Sequence, residues 1–80
     1  MKVEVHLTAT LRTYLPPGAS GDHVLLDLPP GTTVAQVIHS LRIPADLERL
    51  TVVNGLDAAP DQVLSEGDVL SLFPPLAGGR

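Results

Sequence analysis

The chain has 80 residues, 44% of them hydrophobic and 18% charged, which is enough for one small core and leaves no room for a second. Its net charge is −4, with nine acidic residues spread along the chain and five basic ones that never cluster; nucleic acid is a poor partner for such a surface, because displacing phosphate counterions takes a basic footprint. Cysteine is absent, which excludes disulfide staples, thiolate zinc or iron–sulfur sites and a cysteine nucleophile.

In chain order, residues 2–8 alternate, with Val3, Val5 and Leu7 on one face and Lys2, Glu4, His6 and Thr8 on the other, the pattern of a half-buried strand. Leu11 and Leu15 are spaced for one helical turn, and Pro16-Pro17-Gly18 then forces a loop. Residues 23–28 alternate again, with Val24, Leu26 and Leu28 inward and Leu25 and Asp27 outward, so the two segments are expected to pair antiparallel as a wide hairpin. Thr33 and Gln36 fit a capping box, and Val34, Val37, Ile38 and Leu41 form one apolar stripe, predicting a helix over 34–42 that ends ahead of Pro44. Residues 50–53 read as a third strand, Asn54-Gly55 as a tight turn, and Val63 and Leu64 as residues packed beneath an irregular stretch. The inward member of the pair Val52 and Val53 stays open. A last strand covers 69–73, with Leu70 and Leu72 on one face and Val69, Ser71 and Phe73 on the other. The expected architecture is α+β, with order β-β-α-β-β: a mixed sheet of four to five strands, first and last strands adjacent, and one main helix on one face. That is the β-grasp, or ubiquitin-like, arrangement.

Chemistry-bearing residues are sparse. His6 and His23 can share the outer sheet face while His39 lies on the helix, so the three histidines do not converge and no metal site is expected. No serine sits in a nucleophile motif, and the glycine pairs lack the lysine and following helix of a phosphate loop. The acidic residues of 57–68 lack the spacing of a calcium loop. No apolar run approaches the length of a membrane span, and the first residues lack the apolar stretch of a secretory signal, so no membrane partner and a cytoplasmic location are expected.

What stands out is the final stretch, Phe73-Pro74-Pro75-Leu76-Ala77-Gly78-Gly79-Arg80. Two prolines end the strand and favour an extended exit, dividing the chain into a folded domain over 1–73 and an extended, flexible tail over 74–80. Gly78 and Gly79 carry no Cβ, so a narrow channel on another protein can close around them. A carboxylate presented there is a poor acyl donor until it is activated, so the chemistry belongs to a partner.

The tail, together with Leu11-Arg12, Pro30-Gly31-Thr32-Thr33-Val34, Val53-Asn54-Gly55 and Glu66-Gly67-Asp68, resembles the ubiquitin-like sulfur carriers, most of all the small subunits of molybdopterin synthase. The thiamine-pathway sulfur carriers are near relatives. The resemblance implies that Gly79 is adenylated by a ubiquitin-activating-type adenylyltransferase using ATP, and then thiocarboxylated to donate sulfur. No cofactor is bound by the carrier itself, and catalysis rests with the large catalytic subunit of molybdopterin synthase or its equivalent. Gly78 and Gly79 would thread the partner's active site, and Phe73, Pro74, Pro75, Leu76, Ala77 and Leu25 would bind it. Arg80 departs from the pattern, and the carrier reading requires its removal to free the Gly79 carboxyl. Phe73-Pro74-Pro75 favours the molybdopterin branch, while carriers for thiamine or tRNA thiolation and for protein conjugation remain alternatives. A further alternative is a non-covalent ubiquitin-like interaction module that uses the outer face carrying Leu25 and Phe73.

Overall fold

Alternation in the first strand decides which way the sheet faces. In the computed structural model, which describes residues 1–44, 46–47 and 49–74, strand β1 (Lys2–Leu7) buries Val3, Val5 and Leu7 completely and leaves the even residues outward. Removing each such side chain from water contributes about 1.5–3 kcal/mol, so a one-residue slip of register would expose the entire set. Strand β2 (His23–Asp27) pairs antiparallel with β1, Lys2 opposite Asp27 and His6 opposite His23. Between them a short 3-10 helix (Ala9–Tyr14) turns Leu11 into the core.

Helix α1 (Val34–Ser40) begins with the expected capping box: Thr33 Oγ1 accepts from the Gln36 N–H at 3.2 Å, and Gln36 Oε1 accepts from the Thr33 N–H at 2.9 Å. Its apolar stripe, Val34, Val37 and Ile38, is buried against the sheet. The helix stops two residues before the expected end. Leu41 is the C-cap, and Arg42 takes a left-handed φ of 63°. The Arg42 N–H donates to His39 O and the Ile43 N–H to Ile38 O, closing a Schellman motif with buried Ile43 packed back on the core. Termination is therefore set by this backbone motif and its apolar contact, upstream of Pro44.

Strand β3 (Leu50–Val53) turns at Asn54-Gly55 into the two-residue β4 (Leu56–Asp57). Asn54 and Gly55 have φ of 52° and 85°, both left-handed, as a type I′ hairpin requires. Val53 is the inward residue of its pair, opposite Leu70, while Val52 faces outward opposite Ser71. Of Val63 and Leu64, only Leu64 is buried; Val63 bridges to Thr33 and is largely exposed, because one strand-like step turns neighbouring side chains to opposite sides.

Strand β5 (Val69–Phe73) closes the fold. It lies parallel to β1 and antiparallel to β3, giving the sheet order β2-β1-β5-β3-β4. The last strand in sequence is thus the middle strand in space, with Leu70 and Leu72 fully buried. The turn before it is clamped by side chains. Asp68 accepts from Asn54 Nδ2 at 2.9 Å and from the Ser65 N–H at 2.8 Å, and Asn54 Oδ1 accepts from the Val69 N–H at 2.9 Å. The Val53-Asn54-Gly55 and Glu66-Gly67-Asp68 motifs therefore meet as one fastening at the entrance to β5.

Candidate functional site

The route out of the fold runs along the middle strand. Leu72 anchors its end in the core, and the Leu72 carbonyl accepts from the Thr8 N–H at 3.4 Å and from Thr8 Oγ1 at 3.3 Å. Parity then turns Phe73 to the outer face, where it is 38% exposed and lies opposite Leu50, itself 53% exposed. A large apolar pair stands at the point where the chain leaves the sheet. Pro74 follows, half-buried and outside the strand, because its ring removes the N–H that a further ladder bond would need. Pro75, Leu76, Ala77, Gly78, Gly79 and Arg80 lie outside the described residues.

Leu25 does not join Phe73. It is exposed on β2 opposite Glu4, and β1 separates β2 from β5. Glu4 pairs with Val69 and Phe73 lies four residues further along β5, about 13 Å at 3.3 Å per residue, and two strand spacings of about 4.8 Å intervene sideways. The two residues thus share the outer face, as expected, without being neighbours, because β1 lies between their strands.

The outer face between them is polar. Lys2, Glu4, His6, His23 and Asp27 all project from it. The Lys2 Nζ donates to Asp27 Oδ2 at 3.2 Å, and this hydrogen bond, with the charge behind it, holds the Asp27 carboxyl below the usual carboxylate range. His6 and His23 share this face, as expected, and His39 stands apart on α1. Asp22 was not singled out from the sequence; its position directly after Gly21, at the mouth of β2, was the available signal.

Five strands of mixed direction around one helix, with the middle strand running out through Phe73 and Pro74, define a β-grasp, ubiquitin-like fold. The ThiS family model matches residues 5–79, and the chain belongs to the ThiS family, the ubiquitin-like sulfur carriers. Among solved structures, SAMP1 from Haloferax volcanii superimposes with a TM-score of 0.75 at 28% identity, covering 99% of this chain and 100% of that one. A putative molybdopterin converting factor, subunit 1, from Pyrococcus furiosus gives 0.74 at 27% identity over 94% of this chain and 98% of its own. A chain in the protein–protein complex of subunits 1 and 2 of the molybdopterin-converting factor from Helicobacter pylori shares the fold, with a TM-score of 0.62 at 20% identity and coverage of 99% of this chain and 100% of that one. No curated protein matches the chain at the sequence level.

Proposed function

We propose that this chain carries sulfur as a thiocarboxylate on Gly79 and delivers it in molybdopterin biosynthesis. The observation supporting this most directly is that the family match extends through Gly78 and Gly79, to residue 79, beyond a middle strand that ends in Phe73 and Pro74. The relative from Pyrococcus furiosus, a putative molybdopterin converting factor subunit, favours that branch of the family. In Helicobacter pylori a chain of this fold stands in a complex of subunits 1 and 2 of a molybdopterin-converting factor; by analogy, the partner proposed here is a catalytic subunit that takes up the tail.

The chemistry divides between this chain and its partners. A carboxylate with a pKa of about 3.5 is ionised at neutral pH and resists nucleophiles. The adenylyltransferase joins it to the α-phosphate of ATP and releases pyrophosphate, making a mixed anhydride with AMP as leaving group. A hydrosulfide-equivalent sulfur then attacks the acyl carbon; the C–S bond forms as the bond to AMP oxygen breaks, with no change of oxidation state at carbon. This chain supplies the acyl group, the slender Gly78-Gly79 segment and a docking surface at Phe73, Pro74, Pro75, Leu76 and Ala77, with Leu25 as a separate outlying contact. Binding ATP and catalysing transfer fall to the partners. For Gly79 to carry the carboxyl, Arg80 must first be cleaved from it.

The intact mass of the chain after incubation with native host extract and ATP tests this. Loss of Arg80 followed by exchange of one oxygen for sulfur is the expected result, and a chain lacking Gly79 should show no exchange. A mass that stays unchanged in an extract that thiolates a control carrier would overturn the reading. The similarity to SAMP1, described as a small archaeal modifier protein in a second structure at 27% identity, favours one other outcome, in which the same activated Gly79 is joined to an amine. That outcome would appear in the same extract as conjugates of higher mass.

A further inference from the structure

His6 and His23 face each other across the β1–β2 ladder. The Leu28 N–H donates to Met1 O and the Leu7 N–H to Asp22 O, each at 2.8 Å, so the odd residues of β1 occupy hydrogen-bonded pairs. His6 and His23 are therefore a non-hydrogen-bonded pair, the kind whose side chains approach most closely. Their rings stack with centroids 5.2 Å apart and planes 23° from parallel. Asp22 aims its carboxylate at the same point, with Oδ1 3.4 Å from His23 Nδ1 and 4.0 Å from His6 Nδ1. One donor atom from each of the three residues lies within 4.8 Å of the other two. On the far side of the His6 ring, Nε2 is held by the Glu4 carboxylate.

We infer that His6, Asp22 and His23 form a site for a divalent first-row transition-metal ion such as Zn²⁺, with Glu4 as the carboxylate that orients His6. Two imidazoles and one carboxylate are a ligand set such ions accept, and three protein ligands leave a fourth position open. Donor atoms around a tetrahedral zinc stand about 3.4 Å apart, given metal–ligand bonds of about 2.0–2.1 Å. The Asp22–His23 separation already has this value, and His6, on a partly exposed side chain, needs only a small ring rotation.

Glu4 accounts for the tautomer. A carboxylate accepting from Nε2–H leaves the lone pair of His6 on Nδ1, the nitrogen that faces Asp22, and a carboxylate behind a ligating imidazole is the usual device for fixing ring orientation and raising ligand basicity. In that tautomer His6 Nδ1 and the Asp22 carboxylate are both acceptors, and Asp22 Oδ1 has His23 Nδ1 as its hydrogen-bond partner at 3.4 Å; a cation taking the place of the His23 Nδ1 proton satisfies all three donor atoms at once. Strand directions place the site at the end of the sheet from which the chain departs, since His6 pairs with Ser71, two residues before Phe73. The inference is independent of what Gly79 carries.

The test is a titration of the full chain with Zn²⁺, followed through the histidine side-chain nitrogens by NMR, with the backbone amide spectrum reporting the fold. One equivalent should shift Nδ1 of His6 and of His23 together while His39 stays still. His23→Gln should weaken binding at least tenfold, Glu4→Gln by about tenfold through loss of the orienting carboxylate, and His39→Gln not at all. Unmoved Nδ1 resonances of His6 and His23 in a folded chain at several equivalents of Zn²⁺ would overturn the proposal. So would a folded His23→Gln chain that binds as tightly as the parent.

Discussion

At the scale of single residues, the outer face of the β1–β2 ladder shows how a surface pair can be tuned without burial. Asp27 is exposed, yet its carboxyl is held low by the hydrogen bond from Lys2 and by the Lys2 charge. Because the folded-state value lies below the unfolded one, the contribution to stability is fully present above the unfolded pKa of about 3.9 and is lost as pH falls through the lowered folded value. Lys2→Gln removes the main cause. Its expected result is an Asp27 side-chain carboxyl resonance titrating closer to the ordinary carboxylate range, with little change in melting temperature near neutral pH, since exposed pairs contribute little. An Asp27 titration unaltered by Lys2→Gln would mean that Lys2 is not the source of the shift. The same ladder explains the histidines. Strand parity alone places His6 and His23 on one face, but Asp22 reaches them only because the turn at Gly21 and Asp22 interrupts the alternation, and local turn geometry of that kind leaves no periodic trace in a sequence.

At the scale of elements, the end of α1 separates what composition announces from what backbone geometry decides. The capping box was legible in Thr33 and Gln36 because side-chain chemistry at fixed spacing is the signal itself. The C-terminus was legible only to within a turn, because Pro44 disfavours helix beyond Arg42 whereas Arg42 itself ends it sooner by turning left-handed. A left-handed residue with a Cβ costs about 1–2 kcal/mol, partly offset in arginine's favour by glycine's larger unfolded-state entropy. Arg42→Gly should therefore stabilise the domain by about 0.5–1 kcal/mol. Thermal unfolding would report this as a rise of a few degrees, and a fall would show that the Arg42 side chain contributes more than its backbone costs. Strand β4 escaped notice for a different reason. Two exposed residues, Leu56 and Asp57, carry no alternation to read, and only the Asn54-Gly55 turn hinted at a partner strand.

At the scale of the whole molecule, the inward and outward faces of β1, β2 and β5 followed from parity, while that of β3 stayed open until its pairing with β5 was known, and the β-grasp order followed from the succession of elements. The order β2-β1-β5 was legible as well, from the expected β1–β2 hairpin and the adjacency of first and last strands; that β3 and β4 take the far side of β5 was not, because no local pattern encodes it. The Gly78-Gly79 stretch stood out by composition alone, and the partners proposed for it came from family likeness. The middle strand also concentrates stability. Leu70 is fully buried between Val5 and Val53, and Leu70→Ala should cost about 2–5 kcal/mol, a large part of the 5–15 kcal/mol typical of a domain. Urea unfolding should show a much lower midpoint with the slope preserved. Val63→Ala, at a largely exposed position, should stay within about 0.5 kcal/mol; similar losses for the two variants would contradict the core described above.

The flanked position of β5 also has a mechanical meaning. A partner that draws on the chain beyond Pro74 pulls β5 along its own axis, while the hydrogen bonds to β1 on one side and β3 on the other lie across the line of force. Such bonds are loaded together in shear, where an edge strand would peel away one bond at a time. Tension applied beyond Pro74 would therefore be borne by the centre of the sheet, through bonds that must yield together.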